Sequence, residues 1–156
     1  METEPVDHSF GDLGDNTALV CVDHQQYQKI VVPQLIDMTY KVHLGLFEED
    51  VILKLKTYNY DVVIIYENFK GSKLENNPLL HEMIELPDTR RRQHFVILVS
   101  HRYATNDAMS AFVQSVDQIV NIADLANFKP ILRRGITQHQ ELYHAFNEMV
   151  KSVQTL

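Results

Sequence analysis

Four short polar groups could do chemistry in this sequence, and each directly follows an apolar run: Asp23-His24, Tyr66-Glu67, Ser100-His101 and Asn121. Carboxylates, imidazoles, a phenol and a hydroxyl are groups that bind cations, exchange protons or accept a transferred group. Asp23 with His24 and His101 would make a small transition-metal site if the fold brought the two rings together. Loop-end histidines more often face solvent, so the plain reading is that no metal is held. Tyr66 carries a phenol that is protonated at neutral pH, its ordinary pKa being about 10. Cys21 is the single cysteine and lies within an apolar run, which makes it packed core rather than a nucleophile. Arg90, Arg91 and Arg92 form a dense cationic run. It reads as solvated surface charge, with an acidic or phosphate-bearing ligand as the alternative.

What must position these groups is a series of short apolar strands. In Tyr-Asp-Val-Val-Ile-Ile-Tyr, residues 60–66, four consecutive β-branched residues leave no face for water. That pattern belongs to a central parallel strand covered on both sides by helices. Ligands in such sheets bind outside the carboxyl ends of the strands, so Tyr66 takes the central position. Thr17 to Val22, Lys41 to Leu44, Phe95 to Val99 and Asp117 to Ile122 supply four more strands. Between them the spacing predicts helices over Gln25 to Met38, capped by Asp23-His24, and over Phe47 to Tyr58. Pro33 predicts a bend or break near Lys29 to Val32. A third helix starts at Asn77-Pro78 and ends at Pro87, and a fourth is capped by Thr105 or Asn106. A last helical region follows Asp124, is broken or begun afresh at Pro130, and reaches about Val153. Five strands alternating with five flanking helices imply an α/β fold, a flavodoxin-like doubly wound parallel sheet of order 2-1-3-4-5.

The chain has 156 residues, enough for one domain over residues 17–156 preceded by an acidic tail or linker over 1–16. A net charge of -7 argues against broad binding to nucleic acid or to an anionic membrane. No apolar run approaches the ~20 residues that a membrane helix needs. No signal pattern opens the chain, so a cytoplasmic location is expected. The loops after the strands lack a Gly-rich phosphate cradle, so no cofactor is expected.

At this point the sequence resembles the receiver domain of bacterial response regulators, the CheY-like superfamily, over roughly Thr17 to Val150. The resemblance rests on Ala-Leu-Val-Cys-Val-Asp-His at the first strand, Tyr-Asp-Val-Val-Ile-Ile-Tyr at the third and Phe-Val-Ile-Leu-Val-Ser at the fourth. In that family an acidic pair after the first strand holds magnesium and an aspartate ending the third accepts a phosphoryl group. A Ser or Thr after the fourth strand and a Lys after the fifth grip the phosphoryl oxygens. Carried over, the acidic pair becomes Asp23-His24, the acceptor falls on Tyr66 and the hydroxyl survives as Ser100. The lysine position falls on Asn121 or Ile122.

A phenol in place of a carboxylate, and one aspartate beside a histidine in place of a magnesium site, remove the parts that acyl-phosphate formation needs. Asp61 is no substitute, since five strand residues at ~3.3 Å each put it about 17 Å from Tyr66. Glu67 leaves the strand end on the face opposite Tyr66 and is a weak substitute. The resemblance therefore implies a non-enzymatic pseudo-receiver in two-component or phosphorelay signalling, acting by protein contact without aspartate phosphorylation. The alternatives are an unconventional acceptor at His24 or Glu67, or a small-ligand binder using the crevice. In receivers the face made by the fourth strand's helix, the fifth strand and the last helix commonly meets partners. Here the apolar stripe of Ile131, Leu132, Ile136, Leu142, Tyr143, Phe146 and Val150 is longer than one sheet face is expected to cover. The expected partners are proteins, a homodimer through the last helix included.

Overall fold

Strict alternation of side-chain direction along parallel strands splits the interior into two cores. The computed structural model describes residues 16–154. The tail expected over 1–16 lies outside them except for Asn16, which opens the first strand. Strands β1 (Asn16–Cys21), β2 (Tyr40–Leu44), β3 (Val62–Tyr66), β4 (Phe95–Ser100) and β5 (Gln118–Asn121) form one parallel sheet in the order β2-β1-β3-β4-β5. The expected doubly wound, flavodoxin-like order is therefore the observed one. The described helices are α1 (Gln25–Asp37), α2 (Glu48–Thr57), α3 (Pro78–Glu85), α4 (Asp88–Arg91), α5 (Ala108–Gln114) and α6 (Phe128–Gln154).

Every residue of β3 and β4 is buried, as continuous apolar runs require. Val63, Ile65, Val96, Leu98 and Ile119 face α2, α3 and α5 through Val51, Leu55, Leu79, Met83 and Ala111. Ala18, Val20, Val62, Ile64, Ile97 and Val99 face α1 and α6 through Val31, Leu35, Phe128 and Leu132. Each fully buried Val, Leu or Ile contributes about 1.5–3 kcal/mol, so these two layers outweigh any surface term. Cys21 is fully buried in the first layer, and burial pushes its thiol well above the ordinary range.

Three expectations need correcting. Among the described residues there are six α-helices rather than five, because α4 forms in the stretch read as a solvated charge run. Arg90 donates to Leu55 O, and Arg91 donates to His94 O, to Ser115 O and to Asp117 Oδ2, the last at 3.2 Å. Asp117 Oδ2 also accepts from Val96 N at 2.8 Å, so Arg91 ties the incoming ends of β4 and β5 together. Second, α1 runs unbroken through Pro33. Lys29 and Pro33 both lie on its exposed side, where water can take the carbonyl that proline leaves without a donor. Third, α5 is capped by Asp107, whose Oδ1 accepts from Ser110 N at 3.0 Å, rather than by Thr105 or Asn106.

Gly135 seats α6 on the sheet. A Cβ there would lie 2.4 Å from Gln118 Oε1, so any other residue would push the Gln118 amide out of its place. The Gln118 amide spans the junction, with Nε2 donating to Asn106 Oδ1 at 2.9 Å and to Ile131 O at 3.0 Å.

Candidate functional site

Tyr66 ends β3 and Glu67 follows it, and the same alternation sends them to opposite sides of the sheet. Tyr66 follows Val62 and Ile64 into the layer under α1 and α6. Glu67 follows Val63 and Ile65. Tyr66 pairs with Val99 across the sheet, and Glu67 N donates to Val99 O at 2.9 Å, which brings the next residue, Ser100, beside Glu67. Ser100 Oγ donates to Glu67 Oε1 at 2.5 Å and accepts from Arg102 N at 2.9 Å and Tyr103 N at 3.0 Å. Both side chains are buried. Of the five residues grouped as one pocket, Ser100 thus faces away from Tyr66 and is satisfied by a carboxyl group that the sequence reading ranked as a weak substitute.

On the Tyr66 side the site is an aromatic cluster. The phenol oxygen is 2.7 Å from His101 Nε2, and the Tyr27 ring lies edge-on at 5.6 Å between centroids. His24 stacks on Tyr27 at 3.7 Å and 14°. Its centroid is 6.0 Å from that of Tyr66. His24 is also the N-cap of α1, its Nδ1 accepting from Tyr27 N at 3.4 Å. Tyr66 is 6% exposed. Burial pushes its phenol up to about 12, and Tyr27, Asp23 and Glu67 add to the shift. The phenol therefore stays protonated, with its oxygen hydrogen-bonded to His101 Nε2.

The other expected residues hold loops. Asp23 Oδ2 accepts from Lys70 N at 2.9 Å, at a residue whose φ of 55° is left-handed, and the Lys70 ammonium sits 4.0 Å above the Phe47 ring. Asn121 Nδ2 donates to Tyr103 O at 2.8 Å and its Oδ1 accepts from Ala123 N at 2.9 Å. Its amide thus occupies the end of β5 without contributing a cation.

Asn77 is the residue sequence reasoning undervalued. It caps α3 as expected, accepting from Leu79 N and Leu80 N. It is also fully buried, and its Nδ2 donates to both Tyr66 O and Glu67 O at 2.9 Å. The cap signal was readable; that the same amide clasps the strand end depends on a return of the chain that spacing does not encode.

The receiver resemblance implies a magnesium ion at this edge, and the residues present do not fit one. Magnesium takes oxygen ligands in near-octahedral geometry, commonly one or two carboxylates. Asp23 already receives a backbone N–H, His24 offers a ring nitrogen committed to capping, and Glu67 points to Ser100 on the opposite face. Among the described residues no group of three or more His, Cys, Asp or Glu side chains could hold a metal ion.

The sequence matches no protein-family model and no curated protein. Solved structures do match in fold. A chemotaxis response regulator, CheY4 of Vibrio cholerae, aligns at TM-score 0.58 and 14% identity over 78% of this chain and 98% of its own. An orphan response regulator of H. pylori aligns at TM-score 0.54 and 15% identity over 76% of this chain and 98% of its own. A chain described as a trimeric coiled coil of yeast Spc42 fused to another structure aligns at TM-score 0.62 and 14% identity over 90% of each. The fold is that of response-regulator receiver domains. Among the described residues no helix is long and apolar enough to cross a membrane.

Proposed function

We propose that this chain is a receiver-like signalling module that works by protein contact and accepts no phosphoryl group. The observation that carries this reading is the plugged crevice: Tyr66 fills the acceptor position, buried against Tyr27 and bonded to His101. A protonated phenol with an engaged oxygen is a poor nucleophile toward a phosphoryl donor, and among the described residues no group of carboxylates beside it could hold the metal ion that would steady the transferring group. The apolar side chains left exposed on α5 and α6 are the contact surface in this reading.

A second reading makes Glu67 the acceptor, favoured by its carboxyl lying beside the Ser100 hydroxyl at 2.5 Å. Against it, Glu67 is 5% exposed, so its carboxyl group is largely shielded from a donor in solution. Intact-mass measurement after acetyl phosphate and magnesium separates the two, with a Tyr66→Asp variant run beside the natural chain. An unmodified natural chain is expected, and a phosphate gained by the variant alone would identify Tyr66 as the block. Phosphate on the natural chain, mapped to Glu67 or His24, would overturn the proposal.

A further inference from the structure

The floor of the groove between α5 and α6 holds a polar atom with nothing to bond. Gln118 lies there on the edge strand β5 and is 6% exposed. Its amide lies flat on Gly135, where a Cβ would stand 2.4 Å from Oε1 and 2.6 Å from Nε2. Nε2 donates to Asn106 Oδ1 and to Ile131 O, one turn before Gly135. Oε1, the other arm of the amide, turns away from both acceptors and receives no hydrogen bond among the described residues. A buried acceptor left without a donor is destabilising, and a bound donor would relieve that. Beside it, Ile119 O accepts from Asn106 N at 2.9 Å, so this residue turns its backbone outward from the sheet, and its N–H points the same way. The floor therefore presents one acceptor and one donor side by side.

The groove above has a volume of about 510 Å³, within the range that takes a small organic molecule. Phe95 and Leu142 give it apolar walls, and the His139 ring stands edge-on to Phe95 at 5.3 Å. The two carboxylates on its lining are engaged: Asp117 with Arg91 and Val96 N, Asp107 with Ser110 N and Oγ. Arg134 is exposed on the rim, and no ion pair among the described residues engages it. We infer that this groove binds a small planar heterocycle that carries an N–H donor beside a ring acceptor, with one anionic group on a short arm. That is the chemistry of a purine nucleoside monophosphate. The amino edge of the base meets Gln118 Oε1 and Ile119 N–H, a pairing of one donor with one acceptor by which amides read purines. The ring lies against Phe95, His139 and Leu142, and the phosphate reaches Arg134, whose guanidinium suits it. Oε1 is covered, so binding includes an outward displacement of rim side chains, of which Gln138 and Leu142 are exposed.

The site is separate from the Tyr66 cluster and does not depend on the contact-module reading. Isothermal titration of the full chain with adenosine 5′-monophosphate and with guanosine 5′-monophosphate tests it, beside ribose 5-phosphate and inorganic phosphate. One of the purine compounds is expected to bind at least about tenfold more tightly than either compound without a base. Gln118→Met, close in shape but with no acceptor, should weaken that binding by about tenfold, and Arg134→Ala should weaken it severalfold. Ala108 lines the groove from the exposed side of α5, outside both cores. Ala108→Trp should therefore fill the groove and abolish binding while circular dichroism shows the fold retained. No binding of either purine compound at millimolar concentration overturns the inference. So does equal affinity for ribose 5-phosphate or inorganic phosphate, which would mean an anion on Arg134 and nothing more. Undiminished binding by Gln118→Met or by Ala108→Trp overturns it as well, while the phosphorylation reading is decided by its mass measurement alone.

Discussion

Ser100 Oγ donates to Glu67 Oε1 at 2.5 Å across the ends of β4 and β3, with both side chains buried. Ser100→Ala would leave that carboxyl group and the N–H groups of Arg102 and Tyr103 without their partner. A buried polar group left unsatisfied costs about 1–3 kcal/mol, and the loss should appear in denaturant unfolding with an unchanged slope. Glu67→Gln keeps an acceptor oxygen and should cost clearly less. Equal costs for the two variants would contradict the geometry.

Alkaline titration tests the burial of Tyr66. Its phenol is pushed up to about 12, against an ordinary value near 10. The folded state therefore favours the protonated phenol. The stability this contributes is complete below pH ~10 and is lost as pH rises from there through about 12. The tyrosinate absorbance of the natural chain minus that of Tyr66→Phe should show its midpoint near 12. A midpoint near the free-phenol value would mean that the ring is solvated.

Asn77 joins a cap to a clasp, and two substitutions separate them. Asn77→Ala removes both and should destabilise by about 2–3 kcal/mol, from a lost cap plus two buried carbonyls left short of a donor. Asn77→Asp restores the cap to α3 but has no N–H for Tyr66 O and Glu67 O, so it should recover only part. Complete recovery would show that the clasp contributes nothing.

The three arginines should behave differently from one another. Arg91→Ala breaks four hydrogen bonds at a half-buried ion pair with Asp117 and should cost about 1–2 kcal/mol. Arg92 is exposed, and Arg92→Ala should stay within about 0.5 kcal/mol. Similar effects at the two positions would return the run to plain surface charge.

The sheet was legible in the sequence because buried parallel strands carry a local signature, four β-branched residues in a row at Val62 to Ile65. Caps were legible for the same reason at Asn77-Pro78. What escaped was long-range pairing. The sequence places Tyr66 and Ser100 each at a strand end, and only the register, Tyr66 opposite Val99, shows that they point to opposite sides. Arg91 looked solvated because its partner Asp117 lies 26 residues away. The break expected at Pro33 failed because propensity is a local cost, and helix packing through Val31 and Leu35 outweighs it.

Gly135 can also be viewed as a fulcrum. It lies early in a helix of 27 residues, and from there to Gln154 the rod extends about 28 Å at ~1.5 Å per residue. One degree of tilt at that seat moves the far end by roughly half an ångström, so a shift of a few degrees displaces it by more than a bond length. The Gln118 amide lies where a Cβ on residue 135 would otherwise stand. Any tilt at this seat would therefore be magnified at a point well clear of the sheet.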